Sequence, residues 1–175
     1  MTIDKICKEY GIKNYTINDD GSIDVDDVVD LSYEGLTELP LVFNKVTGGF
    51  DCGNNNLTSL KGCPKWIDEF FYCGYNQLTD LKDSPKQVGG RFNCSGNKNL
   101  YNINGYTEKI GILFYCNDTP LSSIFNEVDQ NFLHAFNFYK IIKDDTVNLK
   151  RLKYVMDLYD KPIDLDKIQK YYRII

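Results

Sequence analysis

The chain has 175 residues and a mass of 20.2 kDa, room for one ordinary domain or one domain with a small appendage. Hydrophobic residues make up 42% and charged residues 26%, a balance that excludes a disordered chain. The 20 Lys+Arg against 25 Asp+Glu give a net charge of −5, which argues against nucleic-acid binding by counterion release over the whole surface.

No apolar run approaches the ~18–20 residues that span a bilayer. The opening residues 1–11 carry Asp4 and Glu9 and no continuous apolar stretch, so the sequence predicts no signal peptide. The expectation is a protein that stays in the compartment where it is made. Ile3, Ile6, Cys7 and Tyr10 recur at helical spacing and predict a short amphipathic helix over 3–10. Tyr15–Asn18 and Ser22–Val25 flank Asp19-Asp20-Gly21, a hairpin signature. Helix and hairpin together predict an N-terminal cap over 1–25. Asn18, Asp20, Gly21, Ile23 and Asp27 also fall at the offsets of a calcium loop. Thr16 stands where the first ligand should be, however, and Ile17 and Val25 alternate as strand residues do. A hairpin with exposed acids is the simpler account.

A repeat then organises the chain over 26–125. Cys52, Cys73 and Cys94 are 21 residues apart and Cys116 follows after 22, with Leu31 in phase one period earlier. Val29, Phe50, Phe71, Phe92 and Phe114 lie two positions ahead of them. Leu36, Leu57, Leu78, Leu100 and Leu121 follow, then Leu39, Leu60, Leu81, Ile103 and Ile124, and Val46, Ile67, Val88 and Ile110 close the periods. Phe50-Asp51-Cys52 alternates as a short strand with one buried face. Gly53-Asn54-Asn55-Asn56 turns the chain, and Pro64 and Pro85 mark an extended return. No coil can bury its own apolar face, so coils stack into a parallel ladder around one core.

The pattern Phe-x-Cys-x-x-Asn-x-Leu-x-x-Leu resembles the leucine-rich repeat consensus, with Phe and Cys in two of the leucine places. Tyr15–Leu39 and Asn55-Asn56-Leu57-Thr58-Ser59-Leu60 are most similar to the small leucine-rich repeat proteins of tailed bacteriophages. The resemblance covers about residues 14–125. It implies an α/β solenoid of about five short, 21-residue repeats with a parallel strand ladder, and it implies protein binding in the host cytoplasm with no catalytic residues. Departures occur at Glu34 and Thr119, which replace the turn asparagine. One residue is inserted between Cys94 and Leu100, and a bulge interrupting any asparagine ladder is expected near Gly96-Asn97-Lys98-Asn99.

After Ile124 the phase is lost. Ile141, Leu149, Leu152, Val155, Met156 and Tyr159 fall at helical intervals and predict helices near 122–134 and 147–160, with a shorter one after Pro162. Residues 126–175 thus read as a C-terminal helical cap or tail. Charge is uneven: residues 1–120 carry a net −6 and residues 140–175 a net +3.

Four in-phase cysteines raise the question of a metal or redox site. Leu31 in the same phase says that the position needs an apolar group, and the close cysteine pairs of zinc sites are missing. No metal and no cofactor is expected. Catalysis has no local support either, since His134 is the single histidine and no nucleophile or phosphate-loop motif occurs. The sequence therefore predicts a non-enzymatic protein–protein interaction module. Its candidate binding face is the concave, outward phase of the strands, Asp30, Asp51, Tyr72, Asn93 and Tyr115, flanked by Tyr33, Phe70, Tyr75 and Arg91. The basic cluster Lys140, Lys150, Arg151 and Lys153 is the alternative surface. A virion structural or assembly component and an enzyme without a motif are the alternative functions.

Overall fold

Each period of the repeat contributes two strands rather than one. The computed structural model describes residues 2–175 and opens with helix α1 (Ile3–Glu9) and an antiparallel hairpin, β1 (Tyr15–Ile17) and β2 (Ile23–Val25). Nine short strands follow: β3 (Val29–Asp30), β4 (Phe43–Val46), β5 (Phe50–Asp51), β6 (Trp66–Ile67), β7 (Phe71–Tyr72), β8 (Gln87–Val88), β9 (Phe92–Asn93), β10 (Lys109–Ile110) and β11 (Phe114–Tyr115). The odd-numbered members stack in parallel in one ladder, and the even-numbered members stack in parallel on β2 in a second. The molecule is a β-solenoid of about four turns with parallel ladders and helices.

The periodicity explains both ladders. In the odd ladder the first residue of each strand is buried and the second faces outward; in the even ladder Val46, Ile67, Val88 and Ile110 face inward behind an outward neighbour. Phe50, Phe71, Phe92 and Phe114 form a continuous ring stack, with centroids 6.1, 4.9 and 5.2 Å apart. Cys52, Cys73, Cys94, Cys116, Leu57, Leu60, Leu78 and Leu81 fill the remaining interior, while Leu36 is only partly buried. At the corner leading into β9 the stacked backbones leave no room for a side chain. A Cβ on Gly89 would collide with the Asp68 carbonyl one coil earlier.

A ladder of buried asparagines lines the turns after β5, β7 and β9. Asn55, Asn76 and Asn97 each accept from a leucine N–H of the preceding coil, at Leu36, Leu57 and Leu78 (2.9–3.0 Å), and donate to carbonyls on their own coil and the preceding one. The expected interruption at residues 96–99 does not occur. Asn97 is fully buried and in register, and the extra residue falls after it, among exposed Lys98 and Asn99. An inserted residue is cheap in solvent, whereas displacing Asn97 would orphan buried backbone groups.

The expected helix over 122–134 is also corrected. Pro120–Ser123 make one 3-10 turn, and strand β12 (Glu127–Val128) pairs antiparallel with β11, occupying the ladder edge that a helix would have left open. Helix α2 (Gln130–Phe138) starts only after Asp129, whose carboxylate accepts from the Phe132 N–H at 2.8 Å as an N-cap. The Gln130 side chain accepts from the Ile110 N–H (2.7 Å) and donates to the Glu108 carbonyl (2.7 Å), covering the edge of β10. Phe132 and Phe136 pack on Phe125, with ring centroids 5.2 and 5.0 Å away.

The remaining helices lie near their predicted places, as α3 (Leu149–Leu158) and α4 (Leu165–Ile168). A small sheet accompanies them, unexpected from the sequence: the hairpin β13 (Ile142–Lys143) and β14 (Thr146–Val147), with β15 (Arg173–Ile174) added in parallel. The Tyr172 hydroxyl donates to the Tyr101 carbonyl at 2.6 Å, tying this region to the solenoid. No described helix is long and apolar enough to cross a membrane.

Candidate functional site

Asp30, Asp51, Tyr72, Asn93 and Tyr115 lie in register on neighbouring odd strands, and Glu127 of β12 extends the row. All five are exposed or half-buried. Three of them also hold their own loops. Asp30 accepts from the Ser32 N–H and hydroxyl, Asp51 from the Gly53 N–H, and Asn93 from the Ser95 N–H. Burial and, after it, the facing Asp30 push the Asp51 carboxyl above its ordinary value, against the effect of the Gly53 N–H. The Phe70 ring lies on Tyr72 with centroids 4.6 Å apart, and it covers Gly49, where a Cβ would enter the ring. Arg91 is exposed in the Phe70 register one coil on, and its side chain makes no ion pair among the described residues.

Tyr33 and Tyr75 stand three residues after their strands, at the head of the asparagine-lined turn. This register is left-handed in every coil, with φ of 61° at Tyr33, 54° at Asn54, 53° at Tyr75, 77° at Gly96 and 54° at Asp118. Asn, Gly and Asp adopt that backbone readily; a bulky aromatic does so at a cost of ~1–2 kcal/mol. Tyr33 is nevertheless 77% exposed and Tyr75 57% exposed. Neither is there to fill the core.

The hairpin acids are engaged in local hydrogen bonds. Asp20 accepts from the Ser22 N–H and hydroxyl, and Asp24 from Asn18, Asn44 and the Lys45 N–H. Asp27 accepts from Asn14 and from the Val28 N–H. All six cysteines are free thiols and buried. Burial pushes the Cys63, Cys73 and Cys94 thiols well above their ordinary value, and Cys116 is raised by the same cause. Thiol labelling of the native protein should therefore leave Cys73 and Cys94 unmodified while Cys7, on the buried side of the terminal helix α1, reacts first. Rapid native-state modification of Cys94 would contradict the burial.

The expectation of a chain without enzymatic activity does not stand. It rested on the lack of a local motif, and the fold assembles titratable groups that no local motif displays. The Tyr106 hydroxyl and His134 Nδ1, 28 positions apart, stand 3.4 Å from one another. His134 lines a cleft of about 760 Å³ together with Glu108, Tyr139 and Tyr159. The sequence carried no signal for this grouping, because three strands, β10, β11 and β12, and a 3-10 turn separate Tyr106 from His134.

The fold defines the class of molecule, a parallel β-solenoid with a helical C-terminal region. Comparison with protein-family models, curated proteins and solved structures finds no match.

Proposed function

We propose that the solenoid is a protein-interaction module built from five 21-residue leucine-rich repeats between an N-terminal and a C-terminal cap. On this reading it resembles the small leucine-rich repeat proteins of tailed bacteriophages and acts in the host cytoplasm. The outward row of the odd ladder takes one host or phage protein. The observation that supports this most is the pair Tyr33 and Tyr75, large exposed rings at backbone positions where Asn, Asp or Gly would cost less. Beside Tyr72 and Tyr115 they offer aromatic area with few torsions to freeze, the composition of binding hot spots. Successive strands ~4.8 Å apart make the face wide enough for one small protein surface or peptide.

A pull-down from host lysate separates this from a role in the virion, which would retrieve virion proteins instead. With a partner in hand, Tyr72→Ala and Tyr115→Ala should each weaken binding by ~1–2 kcal/mol. Both side chains project away from the core, so neither change opens a cavity. A folded double variant that binds like wild type rules out this face.

A further inference from the structure

The helical region carries a second surface, remote from the strand row in sequence and independent of its role. Helices α2 and α3 bury Phe132, Leu133 and Phe136, and Leu152, Val155 and Met156, against the core. Their outer sides should then be polar. Instead Phe138 is 70% exposed, Tyr154 53% and Leu158 60%. The rings are continuous: Phe138 meets Tyr139 at 5.2 Å between centroids, and Tyr139 meets Tyr154 at 5.0 Å. Tyr139 and Tyr154 line a cleft of about 780 Å³ together with Asn148, Lys150, Arg151 and Ile175.

Both charged side chains that line this cleft, Lys150 and Arg151, are cationic. Lys150 and Arg151 occupy the first turn of α3, which contains no acidic residue, although the partial positive charge of a helix start disfavours cations there. The ion pairs among the described residues are Lys45–Asp68, Lys82–Asp80 and Arg173–Asp145, so neither cation is neutralised. Among the described residues the one polar contact of the Arg151 guanidinium is a long 3.4 Å approach to the Lys140 carbonyl. Lys150, Tyr154 and Leu158 follow one another at four-residue spacing, placing a cation, an aromatic ring and an aliphatic side chain in line along one helix face.

We propose that this cleft docks an acidic segment of a partner protein, with an aromatic or aliphatic side chain anchored on Tyr139 and Tyr154 and carboxylates on Lys150 and Arg151. Arg151 offers a two-pronged donor that fits a carboxylate, and the exposed rings give the anchor its apolar surface. A second copy of the chain is disfavoured, because a two-fold contact here would set Lys150 and Arg151 against their own equivalents. Nucleic acid is disfavoured by a cleft with two cations on a chain of net charge −5.

The test starts from a random-sequence peptide library displayed on phage and selected against the intact protein. Enriched peptides are synthesised and measured by fluorescence anisotropy on wild type, on K150E/R151E, on Y154A and on Y72A/Y115A. All the substituted positions except Tyr72 and Tyr115 are exposed, and acids at the start of α3 favour the helix, so the K150E/R151E and Y154A variants keep their fold. Asp or Glu beside an aromatic or aliphatic residue should dominate the enriched sequences. Their affinity should fall about tenfold or more in K150E/R151E and in Y154A and stay unchanged in Y72A/Y115A. The proposal fails if selection gives no peptide that loses affinity in both cleft variants, or gives peptides without acids. It also fails if a single-stranded oligonucleotide binds the cleft more tightly than the acidic peptides, or if sedimentation shows a dimer that Y154A dissolves.

Discussion

Replacing Asn97 with Ala is expected to destabilise the protein by about 2–5 kcal/mol, more than the same change at Asn76. The two asparagines look equivalent along the ladder but leave different groups behind. The Asn97 side chain is the partner of the Leu78 N–H (3.0 Å) and of the Cys94 carbonyl (2.8 Å), and it shares the Cys73 carbonyl with Asn76. Its removal therefore orphans one buried donor and one buried acceptor. Removing Asn76 orphans only the Leu57 N–H, because the Cys52 carbonyl keeps Asn55 and the Cys73 carbonyl keeps Asn97. Each buried, unpaired backbone group costs ~1–3 kcal/mol. Urea denaturation of both variants beside exposed Asn99→Ala, which should change stability by less than ~0.5 kcal/mol, gives the order directly. Equal losses at 97 and 76 would mean that water enters the turn and replaces the side chain.

That contrast also shows what the sequence carries and what it does not. Phe50, Phe71, Phe92, the four in-phase cysteines, Leu57 and Leu78 are all buried where the 21-residue phase places them, because one buried apolar residue per coil repeats without error. The second ladder was hidden for a physical reason. Trp66–Ile67, Gln87–Val88 and Lys109–Ile110 each bury a single residue, without the apolar-polar-apolar run that Phe-x-Cys gives the odd coils, and their pairing depends on neighbours a full coil away. The candidate face was legible as a register, since strand phase alone aligns Asp30, Asp51, Tyr72, Asn93 and Tyr115. Its backbone was not: nothing local distinguishes Tyr75 in a left-handed conformation from Tyr72 in an extended one. The late start of α2 was not legible, because a single capping residue such as Asp129, in a stretch without repeat phase, does not fix where a helix begins. The Tyr106–His134 approach and the Tyr139–Tyr154 cleft arise from packing between separate elements, which no sequence period encodes.

Phe71→Ala should cost about 3–5 kcal/mol, while Tyr72→Ala, the next residue, should cost ~0.5–1.5 kcal/mol. Phe71 is completely buried between Phe50 at 6.1 Å and Phe92 at 4.9 Å, so truncation removes the apolar transfer energy of a ring and leaves a cavity in mid-stack. Tyr72 lies on the opposite side of the same two-residue strand and loses chiefly its stacking on Phe70. The position of Phe71 adds a further effect. Stability in a solenoid is a sum over coils and the interfaces between neighbours, so a void at a central interface weakens the coupling of the two sides as well as the total. The Phe71→Ala transition should accordingly broaden, with a smaller denaturant slope, as the flanking coils begin to unfold separately. Truncating Phe114, which has a solenoid coil on only one side, should lower the midpoint and leave the slope near its wild-type value. A Phe71 variant that unfolds as sharply as wild type, or a Tyr72 variant that loses as much stability as Phe71→Ala, would overturn the inward and outward assignment of the odd ladder.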